Sequence, residues 1–261
     1  MLHSGKTVFV PEGTYRINVD IGIELKSDVD VIMSPNAVLK AIGSENNHSR
    51  VFELYLADNV TITGGQIIGE RYPHKGTGGE WGMGIQIYDC ENVTISDVTI
   101  SNCWGDGIYI GAEDEDVKGA GCDKITIDGC YLYNNRRNNL SIVCGRDVTV
   151  KHCTFENANG TAPGYGIDIE PNYPDVNPSQ RILIYDSVFS ENEGGSMGII
   201  TYSDDITIAD CIMDGKFINY AGTNVKISNT CINGQMYARY GVDIDDKSVI
   251  NEGTLKEDVL V

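Results

Sequence analysis

No apolar run in the sequence approaches the ~20 residues that a transmembrane helix needs. Its eight cysteines contain no Cys-x-x-Cys pair, which removes the usual spacing of a structural zinc site. Cations are scarce: 19 Lys and Arg stand against 38 Asp and Glu, a formal net charge of −19. Such a chain has no basic face for phosphates, so nucleic acid is excluded as a partner. An anionic membrane surface is excluded by the same sign. The start, Met1 to Phe9, has no charged segment followed by an apolar one, so no signal peptide is read there. A strand opens at once, at Thr7-Val8-Phe9-Val10, and its bare edge leads us to expect a preceding segment or a covering partner. No stretch sustains a 3.6-residue period, which excludes βαβ units.

What is plentiful is glycine, 30 of 261 residues, and a recurring phrase. Asn59-Val-Thr-Ile62 returns as Asn92-Val-Thr-Ile95, Lys124-Ile-Thr-Ile127, Asp147-Val-Thr-Val150, Arg181-Ile-Leu-Ile184, Asp205-Ile-Thr-Ile208 and Asn224-Val-Lys-Ile227. Aligned on Val60, Val93, Ile125, Val148, Ile182, Ile206 and Val225, the position two residues on is always aliphatic. The position seven on is always apolar: Ile67, Ile100, Leu132, Phe155, Phe189, Met213 and Ile232. The anchors lie 33, 32, 23, 34, 24 and 19 residues apart, so the unit is short and carries insertions. A second strand precedes the later anchors, as in Gly84-Ile-Gln-Ile87, Gly107-Ile-Tyr-Ile110 and Gly166-Ile-Asp-Ile169. Alternation of apolar and polar residues between turns marks strands. One unit cannot bury its apolar face, but stacked units can, at ~4.8 Å per coil. The expectation is one all-β solenoid over residues 1–261, of about eight or nine coils, with 245–261 as a C-terminal capping segment. Asn102, Asn134 and Asn157 recur nine residues after their anchors and predict a hydrogen-bonded turn ladder. The cysteines read as small buried core residues, although Cys130 and Cys153 in adjacent coils also fit a disulfide.

The repeat resembles the pectin-lyase-like superfamily, the right-handed parallel β-helix proteins. The opening Gly5-Lys-Thr-Val-Phe-Val-Pro-Glu-Gly-Thr-Tyr15 is similar to the first coil of many members. That family includes pectate lyases, polygalacturonase-like hydrolases, alginate epimerases and phage tailspike depolymerases. The resemblance implies a groove along one sheet, flanked by turn loops, and an extracellular or virion-associated protein. It does not choose a reaction, because chemistry belongs to the site and not to the fold.

Alternate residues of the second strand face outward, and that row is read as Gln86, Tyr109, Ser141, Asp168, Ile200 and Asp243. The densest segment is Tyr165-Gly-Ile-Asp168-Ile-Glu170-Pro-Asn172. Asp168 and Glu170 are two residues apart, so about 6.6 Å between Cα atoms on one face. That lies near the lower edge of the ~6.5–9.5 Å carboxyl spacing of inverting glycosidases. Asp106, two units earlier and about 9.6 Å along the axis, is a third candidate carboxylate. The loop from Glu70 to Gly82 brings Arg71, His74 and Trp81 as candidate sugar-binding groups. Tyr109, Arg136, Arg137 and Asn138 complete that set. The acidic loop from Ala112 to Gly121 offers hard oxygen ligands that suit Ca²⁺, without the spacing or glycine of an EF-hand.

The leading expectation is a polysaccharide hydrolase that needs no cofactor. Asp168 and Glu170 are its acid–base pair, with Asp106 and Tyr165 in support. A uronan lyase or C5-epimerase is the alternative, because Tyr165-Gly-x-Asp168 resembles the Tyr-Gly-Phe-Asp-Pro-His motif of alginate epimerases, with Glu170 where those have His. The Gly-His-Gly and Arg-Ile-Lys segments of polygalacturonase-like hydrolases do not occur. A non-catalytic glycan-binding helix of a phage tail or surface protein is the third reading.

Overall fold

The structure, a computed structural model, describes residues 5–251. Three parallel sheets run its length, two of ten strands and one of nine. Each turn of chain contributes one strand to each sheet in the same order, giving nine complete coils and a tenth that has strands in two sheets. The repeat thus folds as a right-handed parallel β-helix. Of the expected capping segment, only residues up to 251 fall within the described part, and they supply the strand Val249–Ile250.

The registered apolar positions explain the stacking. In the first sheet Val31, Ile62, Ile95, Ile127, Val150, Ile184, Ile208 and Ile227 face one another coil by coil, all at 1% exposure or less. In the second, Leu39, Ile67, Ile100, Leu132, Phe155, Phe189, Met213 and Ile232 stack in the same way, all at 3% exposure or less. Phe155 and Phe189 stack with ring centroids 5.0 Å apart. Each inward side chain sits on a near-copy of itself, so one apolar column fills each wall.

The corners carry the strain that lets the chain turn. The residue before each anchor is left-handed: Asn59, Asn92, Lys124, Asp147, Arg181, Asp205 and Asn224 all have φ between 51° and 58°. The expected asparagine ladder is left-handed as well, at Asn102, Asn134 and Asn157. Asn134 Nδ2 donates to Asn102 Oδ1 (2.6 Å), and Asn157 Nδ2 to Asn134 Oδ1 (3.3 Å). Asn tolerates this region better than most residues because its short polar chain bonds locally. All eight cysteines are free, and seven are buried. Cys130 and Cys153 donate to backbone carbonyls, as small core residues do.

Removing one ring of the stacked column tests this account. Phe155→Ala is expected to cost about 3–5 kcal/mol of stability by urea denaturation. Val188→Ala, on the outward face of the neighbouring strand, is expected to change it by less than about 0.5 kcal/mol. A Phe155→Ala loss below about 1 kcal/mol would contradict the packing.

Candidate functional site

The third sheet presents its outer face to a groove. Its outward line, in register, is Glu53, Gln86, Tyr109, Ser141, Asp168, Gly198, Ile218 and Tyr237. The first five positions include four of the expected row. Ile200 and Asp243 do not belong to it. The strand in that coil is Gly195–Ile199, so the pairing shifts by two residues and Gly198 faces Asp168. Asp243 lies in the first sheet, where it pairs with Lys226. Gly198 is needed small: a Cβ there would come within 2.8 Å of the Tyr165 ring.

Two loops wall the groove. The loop between the strands Gln66–Ile68 and Trp81–Tyr88 is fastened by Trp104. The Trp104 indole stacks on His74 at 3.9 Å and donates to Gly78 O, and the Arg136 guanidinium lies over the Trp104 ring, 3.8 Å from its centroid. Arg136 also donates to Gly79 O (2.8 Å). Arg71 reaches in the other direction, to the turn residues Asn134 and Asn159. The acidic loop after the strand Ile108–Gly111 covers a small apolar cluster of Met83, Tyr109, Ala112, Val143 and Cys144 outside the cylinder. Asn177 pins it by donating to Glu115 O and Val117 O and accepting from Gly119 N.

Between these walls lies a cleft of about 140 Å³, lined by Glu80, Trp81, Tyr109, Arg137, Ser141, Val143, Asp168, Glu170 and Asn172. It adjoins a wider one of about 360 Å³ that shares Trp81, Tyr109 and Asn172 and adds His48, Arg50, Glu53, Tyr88, Glu113 and Glu115, among others. The shared residues join them as one groove.

Of the expected site residues, Asp168, Glu170, Tyr109, Trp81 and Arg137 meet at this cleft. The others serve its frame. Asp106 is fully buried and faces no solvent. It accepts from Arg137 Nη1 (2.9 Å), Ser141 Oγ (2.7 Å) and the Asn138 backbone N–H (2.9 Å), all from the next coil. Asn138 is also fully buried, and its amide bridges Asp168 Oδ2 (3.0 Å) to the Tyr165 N–H (2.8 Å). Tyr165 is buried and outside the cleft lining, with its hydroxyl pushed up to about 12 by burial and by Asp168. His74 lies under its loop with a fully covered side chain, 3.4 Å from Glu70 Oε1. Arg71 and Arg136 are clasps for loops and turns. These side chains left the groove because each had a better-buried partner than water: an aromatic face, a turn carbonyl or a carboxylate.

Asp168 is the most perturbed carboxyl group at the cleft. It is 1% exposed, its Oδ1 has no hydrogen-bond partner, and it titrates at about 7. Burial is the main cause and the Glu170 charge adds to it, against relief from Arg137 and Asn138. Glu170 is half-buried and also raised, by burial first, with Arg137 opposing. Burial pulls Arg137 down, but Asp106, Asp168 and Glu80 outweigh it and keep the guanidinium charged. Glu115 leaves its loop to meet Asn172 Nδ2 (2.6 Å) and the Tyr109 hydroxyl. Among the described residues, no three His, Cys, Asp or Glu side chains converge to hold a metal ion.

Sequence reasoning missed Glu80, His48 and Glu53 as groove residues. His48 pairs in register with Trp81 and stacks on it at 4.9 Å, almost parallel. Aligning the second coil's strand with Trp81–Tyr88 would have found all of that pairing, but the long insertion before Trp81 hides it.

The model of the right-handed beta helix region matches residues 16–212 and, in an overlapping pass, 83–259. The SPbeta prophage-derived uncharacterized protein YorA of Bacillus subtilis is 31% identical over 264 residues, covering 90% of this chain and 45% of that protein. The chain spans less than half the length of the curated relatives it matches. Pectate lyase Pel9A superposes with a TM-score of 0.64 at 13% identity, over 98% of this chain and 70% of that one. The A-module of mannuronan C-5 epimerase AlgE4 of Azotobacter vinelandii gives 0.63 at 14%, over 97% and 89%. At those identities the likeness to solved structures is one of fold. The chain belongs to the right-handed β-helix family, with pectin-lyase-like architecture.

Proposed function

We propose that this protein is a carbohydrate-active enzyme that hydrolyses glycosidic bonds of a polysaccharide in the groove of the third sheet. The observation that carries this reading is the pair Asp168 and Glu170, side by side on the floor of a cleft walled by Trp81 and Tyr109. Rings of this kind stack on sugar faces. A close carboxyl pair divides into an acid and a base when the environment holds the two apart. Asp168, buried and with a free Oδ1, keeps its proton and gives it to the glycosidic oxygen as the bond to the anomeric carbon breaks. Glu170, more exposed and facing Arg137, takes a proton from the attacking water. The water's oxygen ends on the anomeric carbon, and each product carries one new hydroxyl. Arg137, fixed by Asp106 and Ser141, keeps Glu170 ionised. The prophage origin of YorA fits a protein at an extracellular or virion surface. The lyase reading has less support: Tyr165 is off the cleft, and Arg137 is already matched by Asp106 and Glu80.

Asp168→Asn and Glu170→Gln are each expected to lower kcat by about 100-fold or more on whichever polysaccharide of a panel the protein cleaves. Products should gain the mass of water. Unsaturated products absorbing in the ultraviolet, or full activity in both variants, would sink the reading. Because the Asp168 titration is raised, its acid form is lost as pH rises, so kcat/KM should fall on an alkaline limb centred near pH 7. The acidic limb should follow Glu170. In Asp168→Asn the alkaline limb should vanish from the residual rate. Trp81→Ala is expected to raise KM severalfold while leaving kcat within about threefold.

A further inference from the structure

The groove's charge is lopsided. Its two clefts are lined by Glu53, Glu80, Glu113, Glu115, Asp168 and Glu170, against Arg50, Arg137 and the stacked His48. Each guanidinium already holds a carboxylate, although Arg50 Nε and Arg137 Nε make no hydrogen bond. Arg50 is bonded to Glu53 (2.9 Å), on the same strand. Arg137 is bonded to the fully buried Asp106 and lies 3.5 Å from Glu80. Three other arginines near the walls are turned away: Arg136 to Trp104, Arg71 to the asparagine turn, and Arg146 to the carbonyls of Gly119 and Ala120. Once ionised above neutral pH, Asp168 Oδ1, buried and unpartnered at the floor, awaits a hydrogen-bond donor from a ligand. A second carboxylate brought there by the ligand could not supply one and would add repulsion at short range in a partly dry site.

Resting on the reading of this groove as a glycan site, we propose that it selects polysaccharides without acidic substituents, so that uronans are rejected and free amines strengthen binding. Hydroxyls and ammonium groups donate to the unmatched carboxylates. Sugar faces take Trp81, Tyr88 and Tyr109. A uronate carboxylate would have to compete with Asp106 for Arg137 or with Glu53 for Arg50, in a site already crowded with acids.

The test is calorimetric titration of the whole protein in low salt, at pH 8 and again at about pH 6, where glucosamine amines are charged. The probes are hexasaccharides of glucose, mannose and galactose, the matched hexauronates, and a chitosan hexamer. At least one neutral or amino hexamer should bind, and each uronate should bind at least tenfold more weakly than its neutral counterpart. The gap should narrow in 0.5 M NaCl as the charges are screened. Glu53→Gln, which releases Arg50, should raise uronate affinity severalfold relative to the neutral hexamer's. A uronate binding as well as its neutral counterpart, or no hexamer binding at all, would overturn the proposal. Binding of a neutral hexamer without turnover would leave the charge selection standing and remove the hydrolytic reading.

Discussion

Everything in this molecule depends on like stacking on like. A parallel coil pairs its backbone with the coils on either side at one fixed spacing, and each inward side chain must fit on its counterpart. Columns of Ile, Val, Leu and Phe meet that demand, as Ile62, Ile95 and Ile127 do in one wall and Phe155 on Phe189 in another. The chain must then leave each sheet at a sharp corner, which confines those positions to left-handed backbone. Asn and Asp fill many of them, and their amides and carboxylates add side-chain bonds along the axis. Core and corners are therefore one constraint seen at two kinds of position.

The outer face is free of that constraint, and there the sequence diverges coil by coil. Glu53, Gln86, Tyr109, Ser141, Asp168 and Gly198 occupy equivalent places with six different side chains. A β-helix thus works as a ruler: it fixes the interval between outward groups and leaves their chemistry open. What it does not fix is depth. Asp106 and Asn138, adjacent to the row, were drawn under the surface by Arg137 and Ser141, and they now hold the floor from below.

This separates what could be read in the sequence from what could not. The anchors, the asparagine ladder and the outward row from Gln86 to Asp168 follow from a period of two within strands and a repeat between them. The row failed at Ile200 because a two-residue shift preserves the in–out alternation, so no apolar pattern signals it. The loop residues failed for a different reason. His74, Arg71 and Arg136 have chemistry that suits a groove, but a loop side chain goes to whichever partner the fold brings near, and here those are Trp104 and Asn134. Spacing carries no information about that choice.

The same logic explains why Asp168 differs from the other acids of this −19 chain. Most carboxylates sit at corners or on exposed faces, where water and neighbours solvate them. Asp168 stands on a strand, between Ser141 and Gly198, the small neighbours that leave it in a recess. Arg137 would solvate it, but Asp106 holds that guanidinium with the shorter claim, from a fully buried position. Burial then outweighs what Arg137 and Asn138 return to Asp168, and Glu170 adds its own charge from two residues away. The Arg137 charge lowers both carboxyls, but burial outweighs it at Asp168, the deeper of the two. For the proposed hydrolysis, that difference in depth lets an acid and a base share one strand and one cleft near neutral pH.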